Sequence, residues 1–291
     1  MIESGFNLQA RSHAAAVGPW QFISSTGKIY GLRNSFYTDD RQDLIKSTKA
    51  AARHLKDLHK IYKDWYLAFS AYNAGPGTVN RAIRRLHKRD YWKLSSARSR
   101  YFRQETKDYV PKFLAAMHIV KNYRKYGYSD KSFGSPIEFD RVTVPDATDI
   151  KAIAKSANTS TAEIDKLNPA LVMGITPPNQ HTTIYIPKGT KNDFARNYSR
   201  IPTSKRVSYL TYRTAPKETL VTIGKKYKAK PSTLAKINRF SSKARLKTGT
   251  LVKIPASKTV LLAMAKTGQS KSYKSGNKVT YYRVRAGDNL S

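Results

Sequence analysis

An internal repeat in the second half of the chain constrains the fold more than any other feature of the sequence. Segments 142–150, 212–220 and 282–290 align without gaps at a period of 70 residues. Each segment predicts a short strand, a turn and the start of a helix. A period of this size is typical of small supersecondary units joined by linkers, so we do not expect one continuous core here.

The first two repeats agree beyond their opening helices. Eighteen residues after the helix start they place Asn168 and Asn238, and each closes with a strand that ends in Ile-Pro, at Pro187 and Pro255. We therefore predict a β-α-α-β unit of about 45 to 50 residues. The third copy stops at Ser291 after its first strand, and we expect the natural chain to continue beyond that point.

The first 130 residues show a different pattern, in which apolar residues recur at helical spacing. Helices are predicted at 43–61 and 65–72, and the Gly- and Pro-containing sequence 73–77 ends the second one. Thr78 is expected to cap the N-terminus of the next helix. A last helix is predicted from 105 to 126. Long alternating runs typical of strands are absent, which indicates an all-α domain.

Charge is distributed unevenly along the chain. The sequence has 54 Lys and Arg against 19 Asp and Glu, a net charge of +35. Residues 1–130 carry +14, residues 131–190 carry none and residues 191–291 carry +21. A chain this basic is expected to meet a polyanion, such as nucleic acid, an anionic membrane or an acidic cell-wall polymer.

Together these patterns predict a multidomain fold, with an all-α domain followed by small α+β modules of βααβ type. The predicted segments are the α-domain at 1–130, a diverged module at 138–190, a second module at 204–257, a basic linker at 258–279 and the start of a further, truncated module at 280–291.

The composition also excludes several kinds of site. The chain has no cysteine, which excludes disulfides, thiolate metal sites and cysteine nucleophiles. Its six histidines do not cluster at metal-ligand spacing and no Gly-rich phosphate loop is present, so we expect no metal and no cofactor. No run of 18 apolar residues occurs and no signal peptide precedes the opening MIESGFN, so we expect the natural protein to extend upstream.

Short motifs in the α-domain point to a chemistry. They are ESGFN at 3–7, Ser12, GPWQF at 18–22, AYNAG at 71–75 and ETKDYVP at 105–111. In this order and spacing the motifs resemble the soluble-lytic-transglycosylase family, bacterial enzymes with a goose-lysozyme-like fold that cleave peptidoglycan. The βααβ units resemble LysM modules, which bind glycans that contain N-acetylglucosamine. The resemblance covers nearly the whole chain, with 138–190 as a diverged LysM-like module and 204–257 as a LysM module.

Glu3 is the candidate catalytic residue. Gly5 is placed like the residue that follows a helix, so we expect Glu3 in a last helical turn, where the helix dipole and an aromatic-lined cleft disfavour its charged form. A carboxyl group with a raised pKa can protonate the leaving oxygen of a glycosidic bond.

The resemblance implies a mechanism with a single carboxylate. Glu3 would protonate the oxygen of the β-1,4 bond between N-acetylmuramic acid and N-acetylglucosamine. It would then take the proton of the muramic acid 6-hydroxyl, which attacks C1 and leaves a 1,6-anhydro end without water. Hydrolases pair two carboxylates, but the next acids, Asp39, Asp40 and Asp43, lie in no recognised motif.

The resemblance also implies which side chains bind the sugar. Ser12 and Gln21 would hydrogen-bond it near the scissile bond, and Ile23 would contact the ring. Tyr72 and Asn73 would lie across the cleft from the catalytic carboxyl group.

Tyr109 would lie on the last helix near the same cleft, while Glu105 is expected to tie that helix down. Two departures from the family pattern matter. Pro19 replaces a non-proline residue, and proline tolerates a turn but strains a helix interior, so we expect the local backbone to differ from that of the family. Only two residues precede Glu3 where the family has a helical segment, which implies an N-terminally truncated catalytic domain.

Three functions are compatible with these observations. The first is a lytic transglycosylase of the bacterial cell envelope, in the periplasm, which binds peptidoglycan strands and anionic envelope polymers. Its membrane association would depend on a segment outside this chain. The second is a truncated, inactive peptidoglycan-binding protein. The third is a nucleic-acid binder, suggested by the interleaved basic and aromatic residues of 196–245. No nucleic-acid-binding motif is recognisable, so we expect no nucleic-acid partner.

Overall fold

The computed structural model of the chain describes residues 3–97, 102–130, 134–207, 209–241, 244–255, 260 and 262. Within them a helical domain is followed by two small α+β modules, which confirms the predicted fold class. The predicted third repeat lies outside the described residues, as does the predicted linker apart from residues 260 and 262.

The N-terminal domain is helical, and aspartates set where three of its helices begin. Asp43, Asp64 and Asp90 each accept a hydrogen bond from a backbone N–H of the first turn, a group that has no partner inside the helix. None of the described helices is long and apolar enough to cross a membrane. The α-helices of this domain are Ser24–Ile29 (α1), Leu44–Tyr62 (α2), Trp65–Ala74 (α3), Pro76–Leu86 (α4), Tyr91–Ser96 (α5) and Gln104–Lys121 (α6).

The helices predicted at 43–61 and 65–72 are confirmed as α2 and α3. The predicted cap at Thr78 is wrong, because α4 begins at Pro76, directly after Gly75 with its φ of 82°. Proline at a first helical position has a φ that already suits the helix, and its missing N–H removes no hydrogen bond.

The last predicted helix is confirmed, but it is shorter than the sequence suggested. Helix α6 ends at Lys121 and a 3-10 helix follows at Tyr123–Tyr126. The side chain of Asn122 donates to the carbonyl oxygen of His118 at 2.9 Å, which satisfies an acceptor of the final turn.

Residues 3–23 form turns and loops, so the helical turn predicted at Glu3 is absent. Gly5 and Phe6 have φ values of 58° and 64°, which no right-handed helix accommodates. Pro19 occupies the second position of a turn in which the N–H of Gln21 donates to the carbonyl oxygen of Gly18 at 3.1 Å. Proline is favoured at that position of a turn, which explains the local conformation.

The two repeat modules have the predicted β-α-α-β order, each with one antiparallel strand pair. Val142 of the first strand lies opposite Ile184, and the equivalent Tyr212 lies opposite Val252. The first module contains Phe139–Val144 (β1), Ile150–Ser156 (α7), Thr161–Leu167 (α8) and Thr182–Pro187 (β2). The second contains Tyr209–Arg213 (β3), Leu220–Tyr227 (α10), Pro231–Asn238 (α11) and Leu251–Pro255 (β4).

A further helix that the sequence did not predict, Lys191–Ser199 (α9), follows β2 and packs on the first module. Its Phe194 and Tyr198 are buried in the same cluster as Ile153 of α7 and Ile184 of β2. The apolar cluster of the first module therefore continues past residue 190.

The repeated asparagines join the second helix of each module to its closing strand. The Asn168 side chain donates to the carbonyl oxygens of Ile164 and Tyr185 at 2.8 and 2.6 Å, and accepts the N–H of Tyr185 at 2.8 Å. Asn238 makes the same three bonds, to Leu234 and Lys253, at 2.7 to 2.8 Å. The repeat therefore preserves one bonding device in both modules.

An apolar cluster joins the modules to the helical domain. Phe36 and Tyr37 of the domain are buried together with Met173 of the first module and Leu210 of the second. Two backbone hydrogen bonds reinforce these contacts. The N–H of Asp39 donates to the carbonyl oxygen of Ala170 at 2.9 Å, and the N–H of Asp149 donates to the carbonyl oxygen of Arg206 at 2.8 Å.

We expect Asn168→Ala to open the first module locally. The change removes the side-chain partner of the N–H and of the carbonyl oxygen of Tyr185, whereas the carbonyl oxygen of Ile164 keeps the backbone N–H of residue 168. Leaving a buried group unpaired costs about 2–3 kcal/mol. Native-state hydrogen exchange should therefore show the Tyr185 amide exchanging at least about tenfold faster. Asn192→Ala, on the exposed side of α9, is the control and should leave it unchanged. Equal exchange in both variants would contradict this role of Asn168.

Candidate active site

A turn at the start of the described chain holds the candidate acid, Glu3. The Ser4 hydroxyl donates to the carbonyl oxygen of Pro19 at 2.9 Å, which ties this turn to the next motif. Across the site, the Tyr109 hydroxyl of α6 donates to Oε1 of Glu3 at 2.6 Å. Two motifs that are 106 residues apart in sequence therefore meet at one carboxyl group.

The surroundings of Glu3 favour its protonated form. Burial raises the pKa of the Glu3 carboxyl above its ordinary value, because a charged carboxylate loses hydration there. The hydrogen bond from Tyr109 acts in the opposite direction, since it stabilises the carboxylate, and the nearby charge of Glu105 again raises the pKa. Burial is the largest of these effects, so Glu3 keeps its proton to a higher pH than an exposed glutamate.

Tyr72 of α3 lies close enough to Glu3 for the carboxylate charge to affect its ionisation. Its hydroxyl donates to the carbonyl oxygen of Trp20 at 2.8 Å. Burial, and secondly the charge of Glu3, raise the pKa of Tyr72 far above the ordinary tyrosine value, so the hydroxyl stays protonated. The rings of His54 and Phe22 pack against Tyr72 at centroid distances of 5.1 and 6.2 Å and fix its position.

Asn73 connects the end of α3 to the start of α6. The side-chain N–H of Asn73 donates to Oε1 of Glu105 at 3.5 Å, and the side-chain oxygen Oδ1 of Asn73 accepts the hydroxyl of Thr106 at 3.3 Å. These three residues line a cleft of about 310 Å³, together with Arg81 and Arg103. Glu105 thus bonds to α3, as expected for a residue that ties the last helix down.

Ser12 and Gln21 brace one loop. The Ser12 hydroxyl accepts the N–H of Ala16 at 3.1 Å. The amide of Gln21 donates to the carbonyl oxygens of Gly18 and Ala10 at 2.7 and 3.3 Å. Ile23, next to this loop, is 43% exposed. Among the described residues no hydrogen bond joins Ser12 or Gln21 to the Glu3 carboxyl group. Their contact with a sugar stays a prediction.

The three aspartates that follow Glu3 in sequence have structural roles. Asp39 forms a buried ion pair with Arg41 at 2.8 Å, Asp40 binds Lys46 at 2.6 Å, and Asp43 caps α2. Each carboxylate is therefore already engaged, so none of them is poised as a second catalytic carboxylate. Within the described ranges, no group of three or more acidic or histidine side chains could hold a metal ion.

Sequence reasoning missed the importance of Arg41 for this site. Its guanidinium donates to the carbonyl oxygens of Ala15 and Phe22, both at 3.2 Å, and so holds the loop that carries Gln21. The backbone of Arg41 lies so close to Gly18 that a Cβ there would be 1.9 Å from its carbonyl oxygen. Gly18 of the GPWQF motif was a possible sequence signal of a close backbone approach. The residue that approaches it, Arg41, lies 23 residues away in sequence, so the motif alone did not identify it.

Comparison with known families agrees with this organisation. Residues 1–95 match the transglycosylase SLT domain. Residues 138–203 match the LysM-like domain of lytic transglycosylase MltD, and residues 212–255 match the LysM domain. The chain therefore carries an SLT domain followed by two LysM-type domains, as the motifs and the repeat predicted.

Curated proteins give the same picture over part of their length. The chain is 36% identical over 173 residues to membrane-bound lytic murein transglycosylase D of Escherichia coli K12 and to the protein of that name from strain O6:H1 (CFT073). That match covers 58% of this chain and 37% of each relative. A putative tributyltin chloride resistance protein of Alteromonas sp. (strain M-1) is 45% identical over 84 residues, which are 28% of this chain and 41% of that protein. The chain thus spans less than half of these relatives.

We expect Tyr109→Phe to raise the pKa of Glu3 further. The variant removes the hydrogen bond that stabilises the carboxylate, a bond worth about 1.5–3 kcal/mol for a charged acceptor, and leaves the burial in place. A carbon-13 NMR titration of the Glu3 carboxyl group measures the shift. Tyr128→Phe, at an exposed position, is the control. A lower or unchanged pKa in Tyr109→Phe would show that this bond does not act on Glu3.

Proposed function

We propose that this chain, in which an SLT domain precedes two LysM-type domains, is a peptidoglycan lytic transglycosylase with Glu3 as its catalytic residue. One observation carries the proposal: the Glu3 carboxyl group is buried enough to raise its pKa, and Tyr109 contacts it at 2.6 Å. A general acid has to be protonated near the working pH, and this environment favours that state.

Glu3 acts twice in the proposed reaction. As an acid it gives its proton to the oxygen of the β-1,4 bond between N-acetylmuramic acid and N-acetylglucosamine, and the bond from C1 to that oxygen breaks. As a base the carboxylate then takes the proton of the muramic acid 6-hydroxyl, while the oxygen of that hydroxyl forms a bond to C1. The products are a 1,6-anhydro end and a free 4-hydroxyl, and Glu3 regains its proton.

The use of one carboxylate is consistent with the engagement of the three acids that follow Glu3 in sequence. Asp39, Asp40 and Asp43 bind Arg41, Lys46 and the N-terminus of α2, so none is placed to activate a water molecule. An attacking hydroxyl on the same sugar replaces that water, since it is already held close to C1.

The remaining candidate residues are proposed to orient Glu3 and the sugar. Tyr109 directs the carboxyl group through its hydrogen bond, and Tyr72 provides a neutral hydroxyl beside it. Asn73 is proposed to contact the sugar from the opposite wall of the cleft.

Ser12 and Gln21 belong to the loop that includes the GPWQF motif, and Ile23 follows that motif directly, just before α1. We propose that this loop contacts the sugar near the scissile bond, with the exposed side chain of Ile23 against the ring.

The LysM-type modules are proposed to bind the glycan strand, with the second module as the principal contact. Ala147 of the first repeat is 8% exposed and packs in the cluster that joins the modules, whereas its counterpart Lys217 in the second repeat is exposed. Ala170 is buried against the helical domain, and the corresponding Phe240 is only partly covered. A strand can therefore approach this end of the second module, while the same end of the first is covered.

We propose an envelope location, in the periplasm, where peptidoglycan is found. The basic segment 191–291 is proposed to add attraction to anionic envelope polymers, an effect that salt would screen. The alternative is a peptidoglycan-binding protein without turnover. The raised pKa of Glu3 favours the enzyme, because a merely binding surface has no need of a protonated carboxyl group.

Glu3→Gln should abolish the release of 1,6-anhydromuropeptides from murein sacculi. Glutamine keeps the size of the side chain but supplies no proton, and general acid–base catalysis contributes about 10²–10⁴-fold in rate. Mass spectrometry of the released fragments measures the product, and sacculus pull-down should show unchanged binding. Glu138→Gln, at an exposed position, is the control. Fragments with reducing ends would instead indicate a hydrolase, and equal release by both variants would remove Glu3 from the mechanism.

A chito-oligosaccharide titration of the full chain, followed by NMR, should map glycan binding to the second module. We expect shift changes at 214–219, 239–241 and 244–248, and none at the residues 70 positions earlier in the first module, 144–149, 169–171 and 174–178. The physical reason is that these loops are open in one module and buried in the other. Equal changes in both modules would contradict the assignment.

A further inference from the structure

A cleft of about 380 Å³ lies on the first module, at its connection to the second. One wall is formed by α7, which contributes Lys151 and Lys155, and the other by the connecting segment 200–206. The backbone bond from Asp149 to Arg206 closes one end of this cleft. The cleft contains none of the candidate catalytic residues.

The charged side chains that line the cleft are predominantly cationic. They are Lys151, Lys155, Arg200, Lys205 and Arg206, with Asp149 as the one carboxylate. That carboxylate caps α7 by accepting the N–H of Lys151 at 2.7 Å. Because one carboxylate faces five cations, the lining keeps a large positive excess.

Four of the five cations of this cleft are exposed, and Arg206 is partly buried. Their pairing differs from that of two cations elsewhere in the chain, the buried Arg41 and the partly buried Lys226. Arg41 is paired with Asp39 and Lys226 with Glu218, at 2.8 and 3.2 Å. In the described part of the chain, Lys155, Arg200 and Lys205 form no ion pair and no side-chain hydrogen bond. Like charges in one concave site repel one another, and the single Asp149 carboxylate of the lining offsets only part of this repulsion.

The fold holds Arg206 in place for a ligand. Its guanidinium stacks on the Tyr198 ring at 4.3 Å, and Nε donates to the carbonyl oxygen of Ile201 at 3.2 Å. Its two terminal nitrogens have no acceptor among the described residues. A guanidinium that is fixed in this way presents a preorganised pair of donors to an oxyanion.

We propose that this cleft binds a phosphate group. A phosphate carries up to two charges on one centre and offers three acceptor oxygens, so a single group can contact cations from both walls at once. A carboxylate has one charge and two oxygens and would leave more of the cations without a partner. The volume exceeds that of one phosphate, so the group can belong to a larger molecule.

The phosphate can come from a lipid headgroup or from a soluble phosphate compound. The proposal does not depend on transglycosylase activity, because it rests on residues of the first module and its connection alone. It does give the proposed attraction to anionic envelope polymers a defined location, distinct from the exposed basic residues elsewhere in 191–291.

Isothermal titration of the full chain with pyrophosphate tests the proposal. Saturable binding is expected, and the double variant R200Q/K205Q should bind at least about tenfold more weakly. Neither side chain has an internal partner among the described residues, so the variant should fold normally, which circular dichroism and an unchanged thermal unfolding curve would verify. The matched control is K191Q/K225Q, which removes two exposed charges outside the cleft and should lose less than about twofold.

Two results would overturn the proposal: absence of saturable binding by the unmodified chain, or the same loss of affinity in both double variants, which would mean diffuse attraction by net charge. A second arm uses vesicles with and without phosphatidylglycerol. Weaker vesicle binding by R200Q/K205Q than by K191Q/K225Q would identify a lipid headgroup as the source. Equal vesicle binding, with pyrophosphate binding lost only in R200Q/K205Q, would identify a soluble phosphate.

Discussion

The buried ion pair between Asp39 and Arg41 is the interaction on which the candidate site depends most. The two side chains are 4% and 6% exposed and meet through two hydrogen bonds, at 2.9 and 2.8 Å. Removing one partner of such a pair costs about 3–5 kcal/mol, because the other charge stays buried. The remaining donor of Arg41 bonds to Ala15 and Phe22 and fixes a loop that has no helix or strand of its own.

The same short segment also attaches the first module. The N–H of Asp39 donates to the carbonyl oxygen of Ala170, and Phe36 and Tyr37 enter the apolar cluster that both modules share. One stretch of chain therefore orders the loop near the candidate acid and orients the modules. A glycan strand bound by the second module would consequently meet the site in a defined direction.

Much of the fold could be predicted from the sequence because it depends on local patterns of residues. The spacing of apolar residues located α2 and α3, and the repeat located both βααβ modules with their asparagines. The predictions failed where backbone conformation or distant contacts decided the outcome. Gly5 and Phe6 turn the chain away from a helix at Glu3, and α9 became visible only through its packing on the first module.

For the site, the sequence by itself determined which residue types were available: glutamates in two motifs, Glu3 and Glu105, tyrosines in two motifs, and an excess of cations towards the C-terminus. The tertiary structure decided which of them meet. The bond between Glu3 and Tyr109, the raised pKa of Glu3 and the cationic cleft beside Arg206 all join residues that are distant in sequence, or depend on burial. The physical reason is that hydration and electrostatic interaction depend on distance in space, which no local pattern of residues encodes.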